Sequence, residues 1–191
     1  VIAWQAGKYE LQTAHGNSLE FTVDSLPQPL PINGPWQVRF AEGWGAPNTA
    51  TFSKLQDWTQ HSEPAIRYYS GKATYRTSFT LPEPWTGRSL WLDLGEVRDL
   101  ATVRVNGQEL DTLWMEPWRV EITAVALPGD NQLEIDIINP WNNRLVGDAK
   151  RPPDERTTFL AKNTVPKNTP LLSAGLLGPV TLHAAERVTL K

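Results

Sequence analysis

Two clusters hold the side chains best suited to chemistry. One is Leu113-Trp114-Met115-Glu116-Pro117-Trp118-Arg119, and the other is Asn139-Pro140-Trp141-Asn142-Asn143-Arg144-Leu145. A sugar presents an apolar C–H face and a rim of hydroxyls. An indole ring covers the first, while Asn, Arg and carboxylate groups hydrogen-bond the second. On that chemistry Trp114, Trp141, Asn142, Asn143 and Arg144 are expected to line a sugar-facing end, with Glu116 and Asp148 at its rim. Two readings stay open for the tryptophans. Trp118 either packs inward ahead of Val120 or joins the cluster, and Trp141 either stacks on a ligand or clamps its own loop.

Other chemistries find little support. The three histidines stand at 15, 61 and 183, in no metal-binding spacing. His15 reads as a turn residue and His183 as the solvent side of a strand. No G-x-S-x-G elbow, phosphate-binding loop or dinucleotide fingerprint is present, and Gly43-Trp44-Gly45 supplies only the first glycine pair of such a motif. There is no Cys, which removes thiolate metal sites, disulfides and a Cys nucleophile. Glycoside cleavage needs two carboxyl groups flanking the scissile bond. Glu96, Asp99, Glu116 and Asp148 are available, but each reads more simply as a surface carboxylate or an ion-pair partner. A stand-alone glycosidase is therefore ranked last. No dense Asp/Asn loop offers the 6–8 oxygens that Ca²⁺ takes, so no metal and no cofactor are expected.

Composition narrows the partners. Eighteen Lys and Arg against 21 Asp and Glu give a net charge of −3 without a basic stripe, which argues against nucleic acid. No apolar run approaches the ~20 residues of a membrane span. Nine tryptophans, as many as Tyr and Phe together, exceed what a core alone favours, because each indole N–H wants a partner; the excess marks a surface that stacks on sugar rings, while most of the nine are expected in a large sandwich core.

The elements that must position these residues read as strands. Trp36, Val38 and Phe40 alternate with polar neighbours, as do Ala73, Tyr75, Thr77 and Phe79, then Leu90, Leu92 and Leu94. Leu19, Phe21 and Val23 do the same after a turn at Ala14-His15-Gly16-Asn17. Period two of this kind marks half-buried antiparallel strands. Val103 and Val105 run into Asn106-Gly107, a hairpin signal. Val120 and Ile122 follow, then the turn Pro128-Gly129-Asp130-Asn131, then Leu133, Ile135 and Ile137. Final strands are expected over 178–184 and 187–190. Helical spacing appears only at Phe52, Leu55 and Thr59, where at most one short helix is expected. The expected fold is all-β, an antiparallel two-sheet β-sandwich of jelly-roll type, as one domain over 1–191. Tyr75, Phe79, Leu92, Leu94, Val103, Val105, Val120, Ile122, Leu133, Ile135 and Val180 are expected in its core. Segments 41–69 and 141–178 are long and irregular, as functional loops are. The chain opens Val-Ile-Ala-Trp, and its only Met is Met115, so it is expected to be a piece of a longer protein.

An ordered set of motifs carries a family resemblance. It comprises Gly71-Lys72-Ala73-Thr74-Tyr75-Arg76, Trp91-Leu92-Asp93-Leu94-Gly95-Glu96, Val103-Arg104-Val105-Asn106-Gly107, Trp118-Arg119-Val120-Glu121 and Pro128-Gly129-Asp130-Asn131. The set resembles the galactose-binding-domain-like jelly roll of family 2 glycoside hydrolases. Pro35-Trp36, Gly43-Trp44-Gly45-Ala46-Pro47, Asn143-Arg144-Leu145-Val146-Gly147-Asp148 and Ser173-Ala174-Gly175-Leu176-Leu177-Gly178-Pro179 more closely resemble the C-terminal sandwich of family 106, the α-L-rhamnosidases. The resemblance implies that the catalytic carboxylates sit on a separate barrel. It also implies that segments 139–148 and 114–118 point toward that barrel's sugar site. Segment 151–169 is shorter than the aromatic-rich version usual in the family.

The expected function is a non-catalytic carbohydrate-binding module of a secreted or periplasmic bacterial enzyme that degrades polysaccharide. Its partners would be plant cell-wall glycan, including rhamnose-containing pectin, and the catalytic barrel of the parent chain. The alternative is a structural sandwich that packs on the barrel and binds no sugar of its own.

Overall fold

The computed structural model describes residues 1–12, 14, 16, 18–160 and 164–189. His15 and Asn17 of the expected turn, and Leu190 of the expected last strand, lie outside the described residues. Among those described, fifteen strands follow in order. They are β1 (Ile2–Ala3), β2 (Gly7–Gln12), β3 (Ser18–Val23), β4 (Leu30–Pro31), β5 (Trp36–Phe40), β6 (Thr49–Phe52), β7 (Lys72–Leu81) and β8 (Ser89–Asp93). Then come β9 (Glu96–Arg98), β10 (Leu100–Val105), β11 (Gln108–Leu113), β12 (Arg119–Glu121), β13 (Gly129–Ile138), β14 (Gly175–Gly178) and β15 (Thr181–Arg187). Two helices interrupt them, α1 (Pro64–Arg67) and α2 (Asn142–Ala149). No helix among the described residues is long and apolar enough to cross a membrane.

The strands form an antiparallel sandwich. A six-stranded sheet has the order β11-β10-β13-β7-β5-β6, and a five-stranded sheet has β1-β15-β8-β12, with β4 also on β15. Two small ribbons, β14-β9 and β2-β3, lie beside them. The long central pair β7 and β13 is in register from Lys72 opposite Ile138 to Leu81 opposite Gly129. Alternation does what the sequence predicts, since a one-residue slip would turn every apolar side chain to solvent. All eleven expected core residues are buried.

The core is unusually aromatic. Trp36, Trp58, Trp85 and Trp118 are all buried, so Trp118 packs inward. Phe52 and Tyr75 meet edge-to-face at 6.0 Å, as do Phe40 and Tyr69 at 4.8 Å. At their centre the Trp58 indole N–H donates to the Tyr75 hydroxyl, which also accepts from the Leu176 amide. Burial pushes that phenol far above its ordinary range and keeps it neutral. Tyr75→Phe keeps the ring and orphans two donors, so we expect a loss of about 1–3 kcal/mol. A thermal melt of the variant should fall by several degrees.

Within 52–59 the structure holds a single short helical turn, shifted toward the end of that stretch. Phe52 ends β6 opposite Trp36. Asp57 instead caps a single 3₁₀ turn over Trp58–Gln60, accepting from the Thr59 and Ala174 amides. The last strand likewise runs without a break through Thr181–Arg187, because Ala184 and Ala185 are small enough for both to be buried at the sheet's end.

Candidate functional site

Strand register gathers the two clusters at one end of the six-stranded sheet. Ala101 pairs with Leu113 on one side and Ile137 on the other, Ile137 pairs with Ala73, and Ala73 pairs with Phe40. The segments leaving β5, β11 and β13 therefore emerge together. Neighbouring strands lie about 4.8 Å apart, which puts the exits toward Trp114 and Trp141 about 10 Å apart.

Helix α2 builds the middle of this end. Asn and Gly are poor helix formers, and eight residues do not hold as a helix in water alone. Tertiary bonds hold it instead. Asn139 accepts from the Gly71 amide and donates to the Tyr69 carbonyl, which fixes the entry. The Arg144 amide donates to Ser70 Oγ. The Asn143 side chain exchanges two hydrogen bonds with the Leu172 backbone, at 2.6 and 2.8 Å. Gly147 lets the helix lie against Tyr68, where a Cβ would come within 2.8 Å of the Tyr68 Cβ.

Asp148 ties down the following segment. It accepts from the Thr157 amide, the Thr158 amide and the Thr158 hydroxyl at 3.2, 2.8 and 2.6 Å. Arg144 is the least satisfied group of the region. It is 1% exposed, and its Nε and Nη2 have no hydrogen-bond partner among the described residues. Nη1 reaches Thr157 Oγ1 at 3.5 Å. Burial pulls the guanidinium below its ordinary range, while the Asp148 charge partly restores it. Gly45, at φ +77°, makes room for this group, since a Cβ there would stand 3.2–3.3 Å from two guanidinium nitrogens.

The seven predicted residues thus divide. Trp114, Glu116 and Trp141 are exposed and Asn142 is half-buried. Asn143, Arg144 and Asp148 are buried, so they brace the surface instead of lining it. The reason is the helix: it turns these three toward the 70, 157 and 172 segments. Trp141 is 52% exposed and its ring lies 5.8 Å from Trp44. Trp44 therefore joins the site, and its signal was the Gly43-Trp44-Gly45-Ala46-Pro47 motif inside an irregular stretch. Trp114 is 72% exposed. Beside it, Glu116 and Asp93 line a shallow cleft of about 590 Å³. Asp93 there is held by Arg119 at 2.6 Å, and Glu96 is held by Arg98 at 2.6 Å. No group of three or more His, Asp or Glu among the described residues could hold a metal ion.

An aromatic pair with an amide beside it can stack on a sugar ring and bond its hydroxyls. Comparison with known proteins supplies the context. Residues 53–169 match the family described as glycosyl hydrolase 2 galactose-binding domain-like. A putative β-glucuronidase of Formosa agariphila is 34% identical over 93% of this chain and 17% of its own length. The structure of a rhamnosidase from Novosphingobium sp. PP1Y is similar with a TM-score of 0.77, at 32% identity over 92% of this chain and 19% of its own. The β-glucuronidase from Ruminococcus gnavus in complex with D-glucuronic acid is similar with a TM-score of 0.50, at 26% identity over 59% of this chain and 22% of its own. The chain spans about a fifth of the length of these relatives.

Proposed function

Because the chain belongs to the glycosyl hydrolase 2 galactose-binding domain-like family, we propose that it is a non-catalytic carbohydrate-binding sandwich of a polysaccharide-degrading glycoside hydrolase, working as one unit. Its ligand is a plant cell-wall glycan of the rhamnose-containing pectin class, and the enzyme it serves is secreted or periplasmic. The observation that supports this most is the exposed Trp141 ring against the half-buried Trp44, beside Asn142 and at the same sandwich end as Trp114 and Glu116. Stacking supplies the affinity, and the amide and carboxylate select hydroxyl geometry.

One observation favours an additional structural role. Phe159 is fully exposed, and Leu160, Leu172 and Met115 are also exposed. Large apolar side chains in the open suit contact with another protein surface, here the catalytic barrel of the parent enzyme. Affinity electrophoresis separates the two roles. The 191-residue chain should be retarded in gels containing rhamnogalacturonan, relative to gels without polysaccharide. Unchanged migration across a panel of plant cell-wall polysaccharides would leave only the structural role.

A further inference from the structure

The outer face of the five-stranded sheet is built unlike a face that meets only water. Period two turns Trp91, Asp93, Arg119, Thr181 and His183 outward, between the core residues Leu92, Val120 and Leu182. Register seats His183 beside Trp91, and Asp93 beside both Arg119 and Thr181. The chain's first segment folds onto this face. The Trp4 ring meets Trp91 edge-on at 5.2 Å, and the Arg119 guanidinium lies over the Trp4 ring at 4.9 Å. Trp4, Gln5, residues 26–29, Arg119 and His183 line a cleft of about 610 Å³. That volume falls within the roughly 300–1,000 Å³ of small-molecule sites.

We propose that this cleft is a second carbohydrate site, taking a neutral pyranose unit of a glycan chain and lined by neither Trp44 nor Trp141. Trp4 keeps 37% of its surface exposed, enough to offer an indole to a sugar's C–H face. The Gln5 and Gln28 amides can each donate and accept, which matches vicinal hydroxyls. Arg119 keeps free N–H donors, but Asp93 at 2.6 Å compensates its charge, so an acidic sugar gains little there. His183 bonds Thr181 Oγ1 at 2.8 Å, and burial lowers its proton affinity, so its ring is a neutral hydrogen-bonding group. Aromatic, amide and imidazole groups without net charge make a site for hydroxyls.

The test is a titration of the ¹⁵N-labelled chain with cellohexaose, xylohexaose and galactohexaose, with hexagalacturonate as the anionic comparison. At least one neutral hexasaccharide should shift the Trp4 and Trp91 indole N–H resonances. Trp4→Ala should weaken that binding by about tenfold or more. Gln28→Ala, which leaves the aromatic packing intact, should weaken it severalfold with an unchanged melting temperature. The proposal falls if no neutral sugar moves these indoles at millimolar concentration, if hexagalacturonate binds the cleft more tightly, or if both variants bind as the parent chain does.

Discussion

Trp141→Ala should reduce glycan affinity by roughly tenfold to a hundredfold while the fold survives. Stacking of a flat ligand on one aromatic platform is worth about 1–3 kcal/mol, judged by alanine substitution at other platforms, and each 1.4 kcal/mol is a factor of ten. Trp141 is 52% exposed and makes one aromatic contact, with Trp44. Losing that contact costs about 0.5–1.5 kcal/mol, a drop of a few degrees in a domain of this size. Binding and melting are best measured on the same preparation. A collapse in stability with residual binding unchanged would make Trp141 a packing residue and move the sugar elsewhere.

Asp148→Ala should be the most destabilising change in the region, although the side chain touches no solvent. Its carboxylate accepts three hydrogen bonds from Thr157 and Thr158. Hydrogen bonds to charged groups contribute about 1.5–3 kcal/mol each and are not additive. The substitution also leaves the buried Arg144 guanidinium without the carboxylate that partly compensates it. We expect a loss of about 3–5 kcal/mol, hence a melting temperature lower by on the order of 10 °C. Asp148→Asn keeps one acceptor oxygen and should fall between. Hydrogen exchange at the Thr157 and Thr158 amides should speed up well before global unfolding. A variant that melts within a degree or two of the parent chain would show that α2 does not depend on this tether.

The strands were legible because their information is local. Val103, Val105, Leu133 and Ile135 alternate within short stretches, and alternation alone assigns them to one face. Asn106-Gly107 marks the β10–β11 hairpin in two residues, and both take positive φ there. Helix α2 was not legible, because its buried side mixes the polar Asn143, Arg144 and Asp148 with Val146, Gly147 and Ala149. Asn143, Arg144 and Asp148 are satisfied or enclosed by Ser70, Leu172, Thr157 and Thr158, which no spacing rule links to them. In sequence they looked like ligand-binding groups, and the same chemistry serves the protein's own backbone. At Phe52, Leu55 and Thr59 the helical spacing yields only the 3₁₀ turn at Trp58–Gln60, because Phe52 pairs into the sheet. The partnership of Trp44 and Trp141 depends on two strand exits meeting at one end of the sandwich. Only register along β5, β7 and β13 reveals it.

The central claim is that the Trp44–Trp141 end takes sugar, and the tryptophans themselves can report on it. Each indole N–H gives its own resonance in a ¹H–¹⁵N spectrum, and Trp36, Trp58, Trp85 and Trp118 are buried internal references. Titration with rhamnogalacturonan oligosaccharides should shift the Trp44 and Trp141 indoles and move Trp114 to a smaller degree. The four buried indoles should stay in place, and Trp141→Ala should abolish the Trp44 shift at the same ligand concentration. Indoles of Trp44 and Trp141 that remain fixed, while the chain binds the same oligosaccharide measurably by calorimetry, would contradict the assignment of this end as the sugar site.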